Sequence, residues 1–163
     1  MSSKNKRLVA AVLASYTLFV FYLIFTELSS EREALVERVI DGDTIELRGG
    51  KRVRLLGIDS PEKKQYYCEE ATERLRQLVE GKDVGLEKDA TNRDKYGRLL
   101  RYIYVDEVFV NLEMVKEGYA VLFTTPRNVK HLEELMKVED EAKLKGIGGL
   151  EPKQTLNLLW PPS

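Results

Sequence analysis

The chain has 163 residues, 26 basic and 27 acidic side chains, a net charge of −1, and is 43% apolar and 33% charged. That balance excludes a disordered tail and a polybasic arm and leaves length for one folded domain. The single cysteine, Cys68, and single histidine, His131, exclude an intramolecular disulfide and any thiolate-rich or imidazole-based metal cluster within one chain, so a bound metal must take oxygen ligands.

Residues 1–7 carry Lys4, Lys6 and Arg7, and Leu8 to Phe25 is a run of 18 residues without a charge. Such a run is long enough to cross a bilayer, and it has no polar face to turn to water. The basic flank stays in the cytoplasm, which places the rest of the chain outside. The bulky end of the run, Tyr22 to Phe25, favours an uncleaved single-pass anchor in the cell membrane with an extracellular domain. Weak sites at Ser29 and Ser30 keep open a cleaved signal and a secreted chain.

Residues 26–33 read as a polar linker, 34–148 as the folded domain and 149–163 as a tail, where Pro152, Pro161 and Pro162 stop regular structure. Within the domain, Val36, Val39, Ile45 and Leu47 lie in β-rich segments around Asp41-Gly42, Gly49-Gly50 supplies a hairpin turn, and Val53 to Ile58 forms a third strand. Ala71, Leu75, Leu78 and Val79 recur at helical spacing and predict an amphipathic helix from Glu69 to Glu80, stopped by Gly81. Strands follow at Val84 to Leu86 and Arg98 to Val105, and Asp106-Glu107 turns the chain into Val108 to Val110. A helix from Leu112 to Glu117 ends at Gly118, and Tyr119 to Phe123 forms another strand. Leu132, Leu135, Met136 and Ala142 mark a last helix ending near Gly146, with His131 as a surface or capping residue at its start. About five short strands with two or three helices predict an α+β, mainly β fold built on a small closed barrel.

Arg48 to Lys64 carries a net charge of +4 and Lys88 to Arg101 of +3. Two basic stretches on an otherwise acidic domain predict one positive face able to gather a polyanion.

The candidate chemistry lies at strand ends. Asp41-Gly42-Asp43-Thr44 falls between two strands, and Asp59-Ser60-Pro61-Glu62 follows the strand that carries Arg54. Taken separately, each reads as an ordinary turn or loop start. Together, carboxylates from neighbouring strand ends suit a hard cation such as Ca²⁺, which takes oxygen ligands at about 2.3–2.6 Å. Asp43 and Asp59 are the candidate ligands. Lys95-Tyr96-Gly97-Arg98 adds a second arginine, and the planar forks of Arg54 and Arg98 match phosphate oxygens.

In this order, Asp41 to Thr44 (DGDT), Arg54 to Glu62 (RLLGIDSPE) and Asp94 to Arg98 (DKYGR) resemble the staphylococcal nuclease (thermonuclease) family. The likeness runs from Val36 to Gly148 and takes in Arg101 to Tyr104 (RYIY) and Asn111 to Ala120 (NLEMVKEGYA). The resemblance implies a five-stranded oligonucleotide-binding (OB-fold) barrel and a Ca²⁺-dependent phosphodiesterase that cuts DNA and RNA to leave 3′-phosphates. It implies Asp43 and Asp59 as metal ligands with the Thr44 carbonyl, Asp41 as a carboxylate behind them, and Arg54, Glu62 and Arg98 as the catalytic residues. Lys95 and Tyr96 would hold a neighbouring phosphate of the substrate. Glu62 either accepts the proton of the attacking water or orients it.

Two departures stand out from the pattern of the family. Lys63, Lys64, Gln65, Tyr66 and Tyr67 lead almost directly from Glu62 into the helix, where a longer basic loop is common. Phe123, Thr124 and Thr125 occupy the region of its aromatic nucleotide contact. The alternative to an enzyme is a catalytically inactive nucleic-acid-binding barrel; the joint presence of Asp43, Asp59, Glu62, Arg54 and Arg98 favours catalysis. No obligate protein partner is expected.

Overall fold

A computed structural model describes residues 12–13, 15–21 and 34–148. The chain divides into two units, 1–32 and 33–163. In the first, the described residues are helical. Among the described residues no helix is long and apolar enough to cross a membrane. The anchor expected over 8–25 lies in large part outside the described residues, as do the linker 26–33 and the tail 149–163.

The second unit opens as a meander. Strand β1 (Ala34–Asp41) pairs antiparallel with β2 (Thr44–Leu47), and β2 with β3 (Lys51–Leu55). Their inward residues, Val36, Val39, Ile45, Leu47, Val53 and Leu55, are buried; β2 and β3 follow the two-residue alternation that lets one face of a sheet meet a core, while register shifts in β1 set Val36 and Val39 three apart. The chain then makes β4 (Ile58–Asp59), helix α1 (Cys68–Val79), β5 (Asp83–Glu87), β6 (Leu99–Val105) and β7 (Val108–Phe109). Helix α2 (Val110–Lys116), β8 (Val121–Leu122) and helix α3 (Leu132–Leu144) complete the unit.

Closure comes from long-range pairing. Strand β1 pairs antiparallel with β5, β5 with β6, and β6 runs parallel to β3 through Val53 opposite Leu99 and Leu55 opposite Arg101. Strands β1, β2, β3, β6 and β5 therefore form a closed five-stranded ring, the expected mainly β barrel. A closed ring leaves no unpaired edge among its members. Strand β7 extends β6 as a hairpin, and β4 pairs with β8 outside the ring.

Helix α1 buries Ala71, Leu75 and Val79, one per turn, against the same core as Val110 and Met114 of α2. A fully buried side chain of the Val or Leu class contributes about 1.5–3 kcal/mol, so this stripe fixes α1 on the barrel. Asn111 is fully buried. Its Oδ1 accepts from Ile103 N at 2.9 Å and its Nδ2 donates to the Leu56 carbonyl at 2.8 Å. One amide thereby ties β6 to the segment between β3 and β4.

The expected strand from Val53 to Ile58 is two strands, because the chain turns at Leu56-Gly57 with Gly57 at φ 77°. A Cβ there would stand 2.7 Å from Leu135 Cδ1, so the turn also needs a glycine for α3 to approach. Val110 starts α2 instead of ending a strand, since its side chain is fully buried on the helical stripe with Met114. The strand expected over Tyr119 to Phe123 shortens to β8, because only Val121 and Leu122 find a partner, in β4.

His131 occupies the N-cap position of α3 but makes no capping bond. Its Nε2 lies 3.0 Å from Glu87 Oε2 and its ring packs edge-on to Tyr102 at 4.6 Å between centroids. It is a packed bridge between α3 and the barrel, not a surface or capping residue.

Candidate active site

Asp43 sits in the two-residue turn between β1 and β2, and Asp59 ends β4. Gly42 lets these two strand ends meet: a Cβ at this position would lie 2.7 Å from both Cβ and Oγ of Ser60 and 3.0 Å from Ala71 Cβ. The Asp43 N–H donates to Asp41 Oδ1 at 3.2 Å, an Asx-type turn that shapes the loop. The Asp43 carboxylate is buried and fully engaged. Oδ1 accepts from Thr44 Oγ1 at 3.0 Å, and Oδ2 accepts from Ser60 N at 2.9 Å and from Ser60 Oγ at 3.1 Å.

Arg54 of β3 projects between the two aspartates, with 12% of its side chain exposed. Its Nη2 lies 3.0 Å from Asp43 Oδ2 and 2.6 Å from Asp59 Oδ1. Its Nη1 donates to the carbonyls of Leu55 and Ile58 at 2.9 and 2.8 Å. Burial pushes the Asp43 carboxyl up to about 6, against the pull of Arg54 and with Asp41 adding to the rise. Burial also raises Asp59, again opposed by Arg54 and reinforced by the charges of Glu62 and Asp41. Two desolvated carboxylates thus share one guanidinium nitrogen, and both ask for more positive charge than that nitrogen supplies.

Arg98 arrives from the start of the strand next to β3. The parallel pairing of β3 with β6 sets Arg54 opposite Leu100, which leaves Arg98 just ahead of the neighbouring strand. Its Nη1 lies 3.4 Å from Thr44 Oγ1, the hydroxyl that donates to Asp43. Asp94 fixes the approach: Oδ2 accepts from Arg98 Nε at 2.6 Å, and Oδ1 accepts from the N–H groups of Tyr96 and Arg98 at 2.9 Å each. Burial works against the Asp94 carboxylate, yet the hydrogen bonds from Arg98 and Tyr96 outweigh it and hold its pKa below the usual carboxylate value. Tyr96 is exposed, with Lys95 Nζ 5.0 Å and Arg98 Cζ 5.5 Å from its ring centroid, so both cations reach its π-face.

Glu62 lies in the exposed loop after β4. Its backbone N–H donates to Gln65 Oε1 at 2.6 Å and its carbonyl accepts from Gln65 N at 2.9 Å. Its charge is close enough to raise Asp59.

The structure therefore brings Asp41, Asp43, Thr44, Arg54, Asp59 and Arg98 into one bonded chain, with Glu62 beside it and Lys95 and Tyr96 at its outer edge. The positive face expected from local charge runs is different at its centre. There Asp41, Asp43, Asp59, Glu62 and Asp94 outnumber Arg54 and Arg98.

The donor set fits a hard divalent cation at Asp43 and Asp59: both are oxygen donors, both are destabilised by desolvation, and both contact Arg54 Nη2. Among the described residues no group of three or more His, Cys, Asp or Glu side chains forms a cage. A cation there would complete its shell with water and backbone oxygen.

Ser60 and Asp94 are the residues that reading the sequence left without a role. Asp94 had a signal, because an aspartate two residues before a backbone N–H and four before an arginine can serve both. Ser60 had none, since its hydroxyl meets Asp43 only when β4 packs against the β1–β2 turn.

The model of the family described as staphylococcal nuclease homologue matches residues 52–148. Endonuclease YncB of Bacillus subtilis is 42% identical over 119 residues, covering 66% of this chain and 56% of that protein. The SPbeta prophage-derived endonuclease YokF of the same species is 40% identical over 122 residues, covering 68% of this chain and 41% of that protein. The thermonuclease of Staphylococcus intermedius is 37% identical over 122 residues, 69% of this chain and 73% of that protein. The chain thus spans about half the length of the two endonucleases of Bacillus subtilis.

Proposed function

The chain belongs to the staphylococcal nuclease homologue family, and from that premise we propose that it hydrolyses phosphodiester bonds of DNA and RNA with the help of Ca²⁺, leaving 3′-phosphate ends. The observation that carries this reading is the bonded chain Arg98–Thr44–Asp43–Arg54–Asp59, which links two guanidinium groups with the buried Asp43 and the half-buried Asp59 carboxylates. Asp43 and Asp59, with the Thr44 carbonyl, would hold the cation. When bound, it supplies positive charge to a phosphate oxygen and to the attacking water.

Water adds to phosphorus, the P–O5′ bond breaks, and the 5′-oxygen leaves with a proton as the new 5′-hydroxyl. Glu62, exposed and next to Asp59, takes the proton of the water or orients it. Arg54 and Arg98 gain most when negative charge builds on the phosphoryl oxygens, so they stabilise the transition state more than the substrate. Asp41 shapes the turn that presents Asp43. Lys95 and Tyr96, at the outer edge, hold the next phosphate along the strand.

The test is to incubate the full-length chain in detergent with denatured DNA and with RNA, in a calcium series and in excess chelator. Cutting that appears with calcium and yields 3′-phosphates is the expected result. Cutting that persists in chelator would remove the calcium mechanism; well-folded protein that binds DNA but never cuts would establish the inactive barrel instead.

The apolar run at 8–25 supports a membrane tether with this domain outside the cell. Protease added to intact cells should then degrade the domain while it remains in the membrane fraction. Protection of the domain would reverse the orientation, and recovery in the medium would favour the cleaved signal.

A further inference from the structure

The loop from Glu62 into α1 has features that hydrolysis does not use. Tyr66 is 69% exposed. Its ring centroid lies 5.8 Å from that of Tyr67 at 30°, and Tyr67 stacks on Tyr119 at 5.3 Å and 10°. The exposed ring is therefore the outer member of a three-ring ladder, anchored where the chain leaves α2. The backbone on either side is left-handed at Lys64 (φ 76°) and Tyr67 (φ 70°), a conformation that side chains with a Cβ resist and that clusters at functional loops.

A groove of about 870 Å³ is lined by Asp41, Lys63, Lys64, Gln65 and Tyr67, so the middle ring of the ladder and the two loop lysines share a cleft with Asp41 of the candidate site. Lys63 and Lys64 are exposed. The opposite wall, on α1, carries Glu69, Glu70 and Glu73, the last paired with Arg76.

We propose that Tyr66, backed by Tyr67 and Tyr119, is a base-stacking subsite for single-stranded nucleic acid, with Lys63 and Lys64 holding the phosphate beside the stacked base. The proposal rests on the nuclease reading above and adds to it a residue that holds the substrate beside the site. Every base has a π-face, so stacking on an exposed ring beside lysines tolerates sequence.

The experiment measures binding separately from cutting. Full-length chain in detergent and chelator is titrated against a short labelled oligothymidylate and against an abasic deoxyribose-phosphate oligomer of the same length, followed by fluorescence anisotropy. Tyr66→Ala should weaken binding of the oligothymidylate about 5-fold to 150-fold and leave the abasic oligomer within about 2-fold. Tyr66→Phe should restore binding, and the double change Lys63→Ala with Lys64→Ala should weaken both ligands.

The subsite is overturned if Tyr66→Ala binds the oligothymidylate as wild type does, if it loses both ligands alike, or if the wild-type chain binds neither. Tyr66-dependent binding by a chain that does not cut in calcium would overturn hydrolysis and keep the subsite. Cutting by a chain whose binding ignores Tyr66 would do the reverse.

Discussion

Arg54 places one guanidinium against four oxygens, two carbonyls on Nη1 and two carboxylates on Nη2. A lysine, as a point charge, has no fork with which to do this. Removing the group leaves Asp43 buried beside Asp59 without compensation, so Arg54→Ala should cost about 3–5 kcal/mol of stability. Thermal melts should show saturating calcium shrinking that deficit, because a cation between the aspartates would replace the lost charge. A deficit that calcium does not change would place the cation elsewhere. Arg98 is half-buried and held by Asp94, so its loss falls on chemistry more than on folding. Arg98→Ala should lower kcat about 100-fold to 1,000-fold with a small change in melting temperature; unchanged kcat would remove it from the mechanism.

At the scale of elements, the start of α3 is held to the barrel by Glu87 of β5. Its carboxylate accepts from Tyr104 Oη of β6 at 2.7 Å, lies 3.0 Å from His131 Nε2, and pairs with Lys130. Burial by itself would raise the Glu87 pKa, but the bonds from Lys130, Tyr104 and His131 outweigh it and lower the value from 4.5. A carboxylate lowered on folding contributes stability that is complete above its unfolded value and is lost as pH falls through the folded one, because the unfolded chain takes up its proton first. Glu87→Gln should therefore cost about 1–3 kcal/mol near neutral pH. The gap in melting temperature between wild type and variant should narrow as pH drops below about 4.5. A gap that stays constant down to strongly acidic pH would mean that the network contributes by packing and not by charge.

Across the whole molecule, ring closure decides where the chemistry sits. Arg54 and Arg98 are 44 residues apart in sequence, and the parallel pairing of β3 with β6 makes them neighbours. A cation that binds only the folded arrangement of Asp43 and Asp59 stabilises the entire domain, by about 2.7 kcal/mol at a hundred times its dissociation constant. Calcium should raise the melting temperature of the chain, and Asp43→Asn should abolish most of that rise. If Asp43→Asn kept the full shift, calcium would be binding at another place.

The sequence by itself determined the parts that depend on neighbours along the chain. Segments rich in Val, Ile and Leu marked β1 to β3, the spacing of Ala71, Leu75 and Val79 marked α1, and the DGDT, RLLGIDSPE and DKYGR segments marked the residues of the candidate site. Pattern and turn chemistry are local, so they are legible without a fold. Only the tertiary structure decided that the chain turns at Gly57, that Ser60 bonds Asp43 and that Asp94 bonds Arg98. It also decided that His131 packs against Tyr102 and that carboxylates outnumber guanidiniums at the centre of a region whose local runs are basic. Each of these depends on which distant segments meet when the barrel closes, and a spacing along the chain carries no information about that.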